Sequence, residues 1–298
     1  MNRLTGKLLV ALAATAGGFG SQRAVASGPV TVLTNLVVAS DTMPSLPGWS
    51  IGGALLSVQP TTPPPVSGDA PYALEAQYPA VGSSGLAGPW ANFTVPPNTE
   101  SLYIDFWAKM PDAPAGLKFC KVFGRVNDPV GYANTTFGPM WGPNTANVGQ
   151  ILGVAFGDGS ATSNDDQNGI RFTGGSNLLG RSYGTATVLT PQMSNWTSSD
   201  WGTAWHHFRI HIKFNDGTTA ANEVPNGELY EEIDGKVYLD TTGIYNRNYQ
   251  NGPIYYVGFF GWAQSDPQPF DVWFDNIVIS TGGFVSDLAP TAVPASVN

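Results

Sequence analysis

The chain has 298 residues and is acidic, with 13 basic and 22 acidic side chains and a formal net charge of -9. This charge argues against a nucleic-acid partner, because polyanions repel each other at long range. Only 12% of the residues are charged, about half the roughly 25% of average soluble domains, whereas 42% are hydrophobic. These values predict a globular protein, and after the N-terminus no apolar run approaches the roughly 18 residues of a membrane span.

Residues 1–26 have the composition of a secretory signal peptide. A basic start is followed by the apolar run Leu8–Ala16 and by Ala24–Ala26, whose small side chains suit cleavage. We therefore expect a secreted, extracellular protein. The alternative is an N-terminal arm that is retained and docks onto an assembly partner, as in a viral surface or fibre protein.

From about residue 30 onward, short β-branched and aromatic runs alternate with clusters of Gly, Pro, Asn and Asp. This pattern predicts an all-β sandwich of two antiparallel sheets. No second shift in composition divides the chain, so we expect one domain over residues 27–280. Residues 281–298, rich in Ala, Pro, Ser and Val, are expected to form a flexible C-terminal tail.

The first clear strand is Leu102–Met110, which alternates apolar and polar positions. Its Leu, Ile, Phe and Ala side chains are expected to face the core. The opposite face then carries Tyr103, Asp105, Trp107 and Lys109.

The strand Trp205–Phe214 repeats this alternation more clearly than any other segment of the chain. Its even-numbered positions, from His206 to Phe214, are expected to point inward. The outward row is then His207, Arg209, His211 and Lys213.

Glu228–Asp240 predicts a hairpin, because Asp234-Gly235 suits the left-handed backbone of a two-residue primed turn. Glu232-Ile233-Asp234 also begins a glycoside-hydrolase pattern of paired carboxylates, but no second glutamate follows. We therefore interpret Asp234-Gly235 as the turn. Two further strands are predicted at Ile254–Trp262 and Val272–Ser280.

The C-terminal strands resemble a known superfamily. The segments WHHFRIHIKFNDG at 205–217, NGELYEEIDGKVYLDTTGIYNR at 226–247 and FDNIVIST at 274–281 are similar to bacterial polysaccharide-lyase-like jelly rolls. These belong to the concanavalin A-like lectin/glucanase superfamily. Residues 72–110 are similar to their entry strands. The resemblance implies a concanavalin A-like jelly-roll β-sandwich, with one sheet curved into a groove for an extended sugar polymer.

A lyase acting on a uronic-acid polymer by β-elimination needs a cation to neutralise the sugar carboxylate and groups that move protons. The outward row of the strand 205–214 has these residue types, roughly 6 to 7 Å apart, which is near the spacing of sugar rings. Candidate catalytic residues are His211 as base or acid, Arg209 and Lys213 as carboxylate neutralisers, and Tyr245 as proton donor. Candidate substrate-binding residues are His207, Tyr103, Asp105, Trp107, Lys109 and Arg247.

Two interpretations compete with catalysis. The row could be a solvated face without function, as on many exposed sheets. Aromatic side chains could instead bind sugar rings without turnover, in a carbohydrate-binding or adhesion module or a structural protein. Most of them are expected to fill the core, and Trp107 is the favoured platform; the candidates are Trp107, Trp141, Trp201, Trp205, Tyr255, Trp262 and Trp273.

No cofactor is expected to be required. Asp271 and Asp275, beside the last strand, are similar to the acidic residues that hold a structural calcium in many sugar-binding sandwiches. Turn formation is the competing explanation of these aspartates. The arginine- and glutamine-based strand motifs of the alginate lyases are absent, so the active-site assignments of those enzymes are not carried over to this chain.

Overall fold

The computed structural model describes residues 29–80, 88–110, 120–126, 133–140, 151–158, 171–172, 204–217, 222, 224–245, 251–260 and 268–285. These residues form fifteen β-strands and no α-helix. The strands are β1 Thr31–Leu36, β2 Trp49–Gly52, β3 Leu56–Pro60, β4 Tyr72–Tyr78, β5 Trp90–Thr99, β6 Ser101–Lys109, β7 Cys120–Val126, β8 Ala133–Met140, β9 Ile151–Asp158, β10 Arg171–Phe172, β11 His206–Lys213, β12 Gly227–Ile233, β13 Lys236–Tyr245, β14 Asn251–Phe259 and β15 Phe270–Thr281.

The strands form two antiparallel sheets, which confirms the predicted jelly-roll sandwich. The larger sheet has nine strands in the order β10, β13, β12, β11, β6, β15, β4, β3, with β1 paired to the second half of β15. The smaller sheet has six strands in the order β2, β5, β14, β7, β8, β9. At the middle of the larger sheet, β6 lies between β11 and β15.

The predicted alternation of β6 and β11 is confirmed, because their apolar positions meet the smaller sheet. Phe106 of β6 stacks on Phe208 of β11, with ring centroids 5.0 Å apart. Phe106 also contacts Phe259 of β14 edge-on at 5.2 Å, and Phe259 packs on Phe274 of β15 at 5.4 Å. All four rings are fully buried. Since β14 belongs to the smaller sheet, this cluster joins the two layers of the sandwich.

The predicted hairpin between β12 and β13 is also confirmed. Ile233 pairs with Lys236, and the two turn residues have the positive φ angles of a primed turn, 51° at Asp234 and 78° at Gly235. The Asp234 side chain then joins the turn to β11: its Oδ1 accepts the amide of His207 at 2.9 Å, and its Oδ2 lies 2.7 Å from Nδ1 of His206. Partial burial would raise the pKa of Asp234, but these bonds outweigh it and hold the pKa below its usual value.

Asp234→Ala should therefore lower the free energy of unfolding by about 1 to 3 kcal/mol, because it removes both hydrogen bonds and places alanine at a positive φ. Asp234→Asn is the matched control, since asparagine suits the turn and still accepts the amide but loses the charge opposite His206. Urea unfolding at neutral pH measures the free energy of unfolding of both variants. Equal stability of the alanine variant and the unchanged protein would contradict this role of the side chain.

The C-terminal segment departs from the predicted flexible tail over its described part. Residues 282–285 fold back onto the larger sheet, and the Phe284 side chain is only 5% exposed. Gly282, with a φ of 80°, makes the reversal directly after β15. Ser280 Oγ donates a hydrogen bond to the Gly283 carbonyl at 2.7 Å, which fixes the returning chain. The described part of the chain contains no helix with the length and apolarity needed to cross a membrane.

Candidate functional site on the outer face of the larger sheet

The candidate site lies on the face of the nine-stranded sheet that points away from the smaller sheet, which we call the outer face. In the antiparallel register of β11 with β6, His207 lies opposite Trp107, Arg209 opposite Asp105, and His211 opposite Tyr103. Strand alternation places these six side chains on the face opposite the Phe106 cluster. The structure therefore brings the predicted residues of both strands together on one surface.

The cationic side chains of the outer face are paired with carboxylates. Arg209 Nη1 lies 3.2 and 3.3 Å from the carboxylate oxygens of Glu232 on β12, and His207 Nε2 makes a short hydrogen bond with Asp105. Lys213 Nζ lies 3.5 Å from Glu228 Oε1. The alternation of β11 shows only the cations of that strand, whereas the neighbouring strands supply the carboxylates that pair with them.

His211, the predicted base or acid, is almost completely buried, with an exposed fraction of 5%. Its ring stacks on Tyr103 with centroids 4.1 Å apart and planes within 8°. Its Nε2 lies 3.1 Å from Ser101 Oγ, and Nδ1 lies 4.0 Å from Glu228. The imidazole is therefore held in a fixed orientation between its neighbours.

Phe284 covers this part of the outer face. The Arg209 guanidinium carbon lies 4.2 Å from the centre of the Phe284 ring, and Tyr103 contacts that ring edge-on at 5.0 Å. Tyr230 of β12 lies 6.0 Å away on another side. We call this region, formed by Tyr103, Arg209, His211 and Tyr230 beneath Phe284, the covered end.

The other end of the face is built around a lysine between two indole rings. Lys109 Nζ lies 4.3 Å from the ring centre of Trp273 and 5.2 Å from that of Trp205, distances typical of cation–π contacts. Trp107 stacks on His207 at 4.8 Å and borders this group. All four side chains retain partial exposure. We call this region, formed by Trp107, Lys109, Trp205 and Trp273, the open end.

Acidic groups surround Lys109 as well. In the register, Lys109 lies opposite Trp273, which lies opposite Glu75 of β4. Partial burial lowers the pKa of Lys109, and the nearby carboxylates of Glu75 and Asp271 oppose that shift. Burial raises the pKa of Glu75, with Asp271 adding to the effect. The cation and three indole rings of the open end thus lie beside two carboxyl groups.

The two predicted metal ligands do not share one site. Asp271 and Asp275 lie four residues apart on β15, which is about 13 Å along a strand. Asp275 is fully buried, and its Oδ1 accepts the amides of Val38 at 3.0 Å and Asn276 at 2.8 Å. Burial raises its pKa to about 6. Among the described residues, no three His, Cys, Asp or Glu side chains form a cluster suited to a metal. The structural calcium stays a prediction.

Some predicted residues fall outside the described part of the chain, or only their backbone lies within it. Tyr245 ends β13, where only the backbone is described, and Arg247 lies beyond it.

The sequence prediction missed Glu75, Glu228, Glu232 and Phe284. The alternation of β12 and β4 contained a signal for the three glutamates, since each occupies an outward position. Nothing local to the sequence predicts that Phe284 returns to the sheet.

No family model matches the chain, and no curated protein matches it. Solved structures do align with it. A variant of the alginate lyase Aly36B with a bound alginate trisaccharide aligns at 18% identity over 70% of this chain and 80% of its own, with a TM-score of 0.44. An endo-β-1,4-glucuronan lyase from the fungus Trichoderma reesei aligns at 12% identity over 84% and 96%, with a TM-score of 0.46.

The cellulose-induced protein Cip1 aligns at 16% identity over 78% of this chain and 90% of its own, with a TM-score of 0.43. These structures include polysaccharide lyases, the class that the sequence resemblance named. Their likeness to this chain is one of fold, at low identity and at TM-scores below 0.5. The function is therefore argued from the residues of this chain.

Proposed function

We propose that the protein binds a polysaccharide along the outer face of its larger sheet, with the open end as the primary contact. The observation that carries this proposal is that Trp205 and Trp273 flank Lys109 and that Trp107, two residues before Lys109 on the same face of β6, is partly exposed like them. Indole faces pack against the apolar faces of sugar rings, while ammonium and carboxyl groups exchange hydrogen bonds with sugar hydroxyls. A sheet surface with this chemistry suits an extended polymer.

Binding should be measured by depletion of the protein from solution with a panel of insoluble polysaccharides, followed by calorimetry with soluble fragments of those that retain it. Trp107→Ala should weaken binding about two- to tenfold, because one aromatic contact contributes roughly 0.5 to 1.5 kcal/mol. Trp90→Ala is the matched control, since Trp90 is 44% exposed and lies on the smaller sheet. An equal loss in both variants, or in neither, would contradict the proposed surface.

Cleavage of a uronic-acid polymer by β-elimination is the second candidate function. The stack of His211 on Tyr103, with the Arg209 guanidinium on the same Phe284 ring that Tyr103 contacts, favours it, because these groups can move protons and stabilise an anion. Substrate contact with them requires Phe284 to move. The test is release of an unsaturated, ultraviolet-absorbing product. Loss of that product in both His211→Ala and Arg209→Ala would favour catalysis, and its absence in the unchanged protein would exclude cleavage of the polymers tested.

Export from the cell is part of the same proposal, supported by the signal-like composition of residues 1–26. N-terminal sequencing of the protein from its native source tests it. A chain beginning at Ser27 would agree with secretion. A retained Met1 would favour the alternative of an assembly or virion-surface protein.

A further inference from the structure

The charges of the outer face bear on which class of polysaccharide it accepts. The cations of the described outer face are Lys109, Arg209 and Lys213. Each lies beside a carboxylate: Arg209 contacts Glu232, Lys213 lies 3.5 Å from Glu228, and Lys109 is within electrostatic range of two acids. The negative charge beside each cation weakens the attraction of that cation for an anionic sugar.

Carboxyl groups also outnumber the cations. On the described outward positions of the sheet they are Glu75, Asp105, Glu228, Glu232, Asp240, Asp271 and Asp275. Burial favours the neutral form of Glu75 and Asp275. Even without those two, five carboxylates face three cations, and protonation of both His207 and His211 would only bring the surface to balance. The described outer face thus has no excess positive charge.

A uronic-acid polymer carries one negative charge on each sugar, so binding along this face would bring anions against carboxylates. Such contacts are repulsive and are a common means of excluding a ligand. The chain as a whole adds to this effect, with a formal net charge of -9. Neutral sugars encounter no such cost, and their hydroxyls can donate hydrogen bonds to the same carboxylates.

From this charge arrangement we infer that the outer face is specific for an uncharged polysaccharide and excludes the corresponding uronic-acid polymer. The inference rests on the proposed polysaccharide-binding function and adds the class of ligand. It is incompatible with the second candidate function, which requires a uronic-acid polymer on the same face. Asp271 is the residue expected to discriminate at the open end, because its carboxylate is partly exposed and lies near Lys109.

The test compares two forms of one polymer. A neutral glucan retained by the protein is oxidised at C6 to its glucuronan, so that chain length and linkage stay constant and only the charge changes. Calorimetry at low ionic strength should show that the oxidised form binds about tenfold more weakly or worse. A tenfold loss corresponds to about 1.4 kcal/mol of repulsion. Salt should reduce the difference, since it screens exposed charges.

Asp271→Asn should increase the affinity for the glucuronan and so reduce the ratio of the affinities for the neutral glucan and the glucuronan. Asp41→Asn, which removes one negative charge from an exposed loop, is the matched control and should leave the ratio unchanged. Equal or tighter binding of the oxidised form in the unchanged protein would overturn the inference while leaving polysaccharide binding intact. Failure of the protein to bind any polysaccharide, in either form, would instead refute the proposed function itself.

Discussion

The free energy of unfolding should fall by several kcal/mol as the pH rises toward 8, and Glu231→Gln should remove most of that fall. Glu231 is a fully buried carboxyl group on the inner face of β12, where it pairs with Ile210 of β11. Neither of its side-chain oxygens has a hydrogen-bond partner among the described residues. Burial without a partner disfavours the charged form and raises the pKa of Glu231 to about 8.

The direction of the effect follows from proton binding. The folded protein keeps the Glu231 proton up to about pH 8, whereas the unfolded chain releases it near the ordinary value of 4.5. Stability from this group is therefore complete below pH 4.5 and is lost as the pH rises to about 8. At about 1.4 kcal/mol for each pH unit, the total between pH 4.5 and about 8 is on the order of 5 kcal/mol.

Urea unfolding followed by tryptophan fluorescence at several pH values between 5 and 9 measures this effect. Glu75 and Asp275, whose pKa values are also raised, contribute in the same direction, so the comparison of Glu231→Gln with the unchanged protein isolates the one group. Asp41→Asn, at an exposed position, is the control for loss of a charge. Parallel pH profiles of Glu231→Gln and the unchanged protein would show that the carboxyl group is not buried in its neutral form.

Phe284→Ala should lower the free energy of unfolding by about 3 to 5 kcal/mol, the usual range when a buried phenylalanine is replaced by alanine. The ring is 5% exposed and packs on Arg209 and Tyr103, so its loss leaves these side chains open to water. His211, stacked on Tyr103, should then become reactive toward diethyl pyrocarbonate. Mass spectrometry locates the modification easily, because the chain has three histidines.

Two variants distinguish exposure of His211 through loss of the Phe284 ring from exposure through a general loss of stability. Phe284→Leu keeps an apolar side chain over the covered end and should protect His211 nearly as well as phenylalanine does. Tyr255→Ala removes an aromatic ring that is 38% exposed on β14 and should leave His211 protected. If His211 is already modified rapidly in the unchanged protein, Phe284 does not cover the face in solution.

The position of Phe284 bears directly on the candidate lyase mechanism. A lyase that uses His211 and Arg209 needs both groups in contact with its substrate, but Phe284 and the carboxylates of β12 enclose them. The open end requires no such movement, because Trp107 and Lys109 are already partly exposed. Of the two proposed functions, polysaccharide binding at the open end is therefore the one that requires no rearrangement of the described surface.

The sequence alone determined the fold class and the contents of individual strands. Alternation in LYIDFWAKM and HHFRIHIK specified which side chains face the core, because successive residues of a strand point to opposite sides. Asp234-Gly235 specified the hairpin, because few residue pairs accept two positive φ angles. Both signals are local, and the structure confirms both.

Only the tertiary structure decided what those outward side chains meet. Glu232 and Glu228 lie on the strand paired with β11, and that pairing converts a row of cations into a set of ion pairs. Phe284 returns to the sheet through a reversal after β15, far in sequence from the residues it covers. Strand alternation fixes the direction of a side chain, but its electrostatic partners and its exposure depend on long-range register and chain return, which a single strand does not encode.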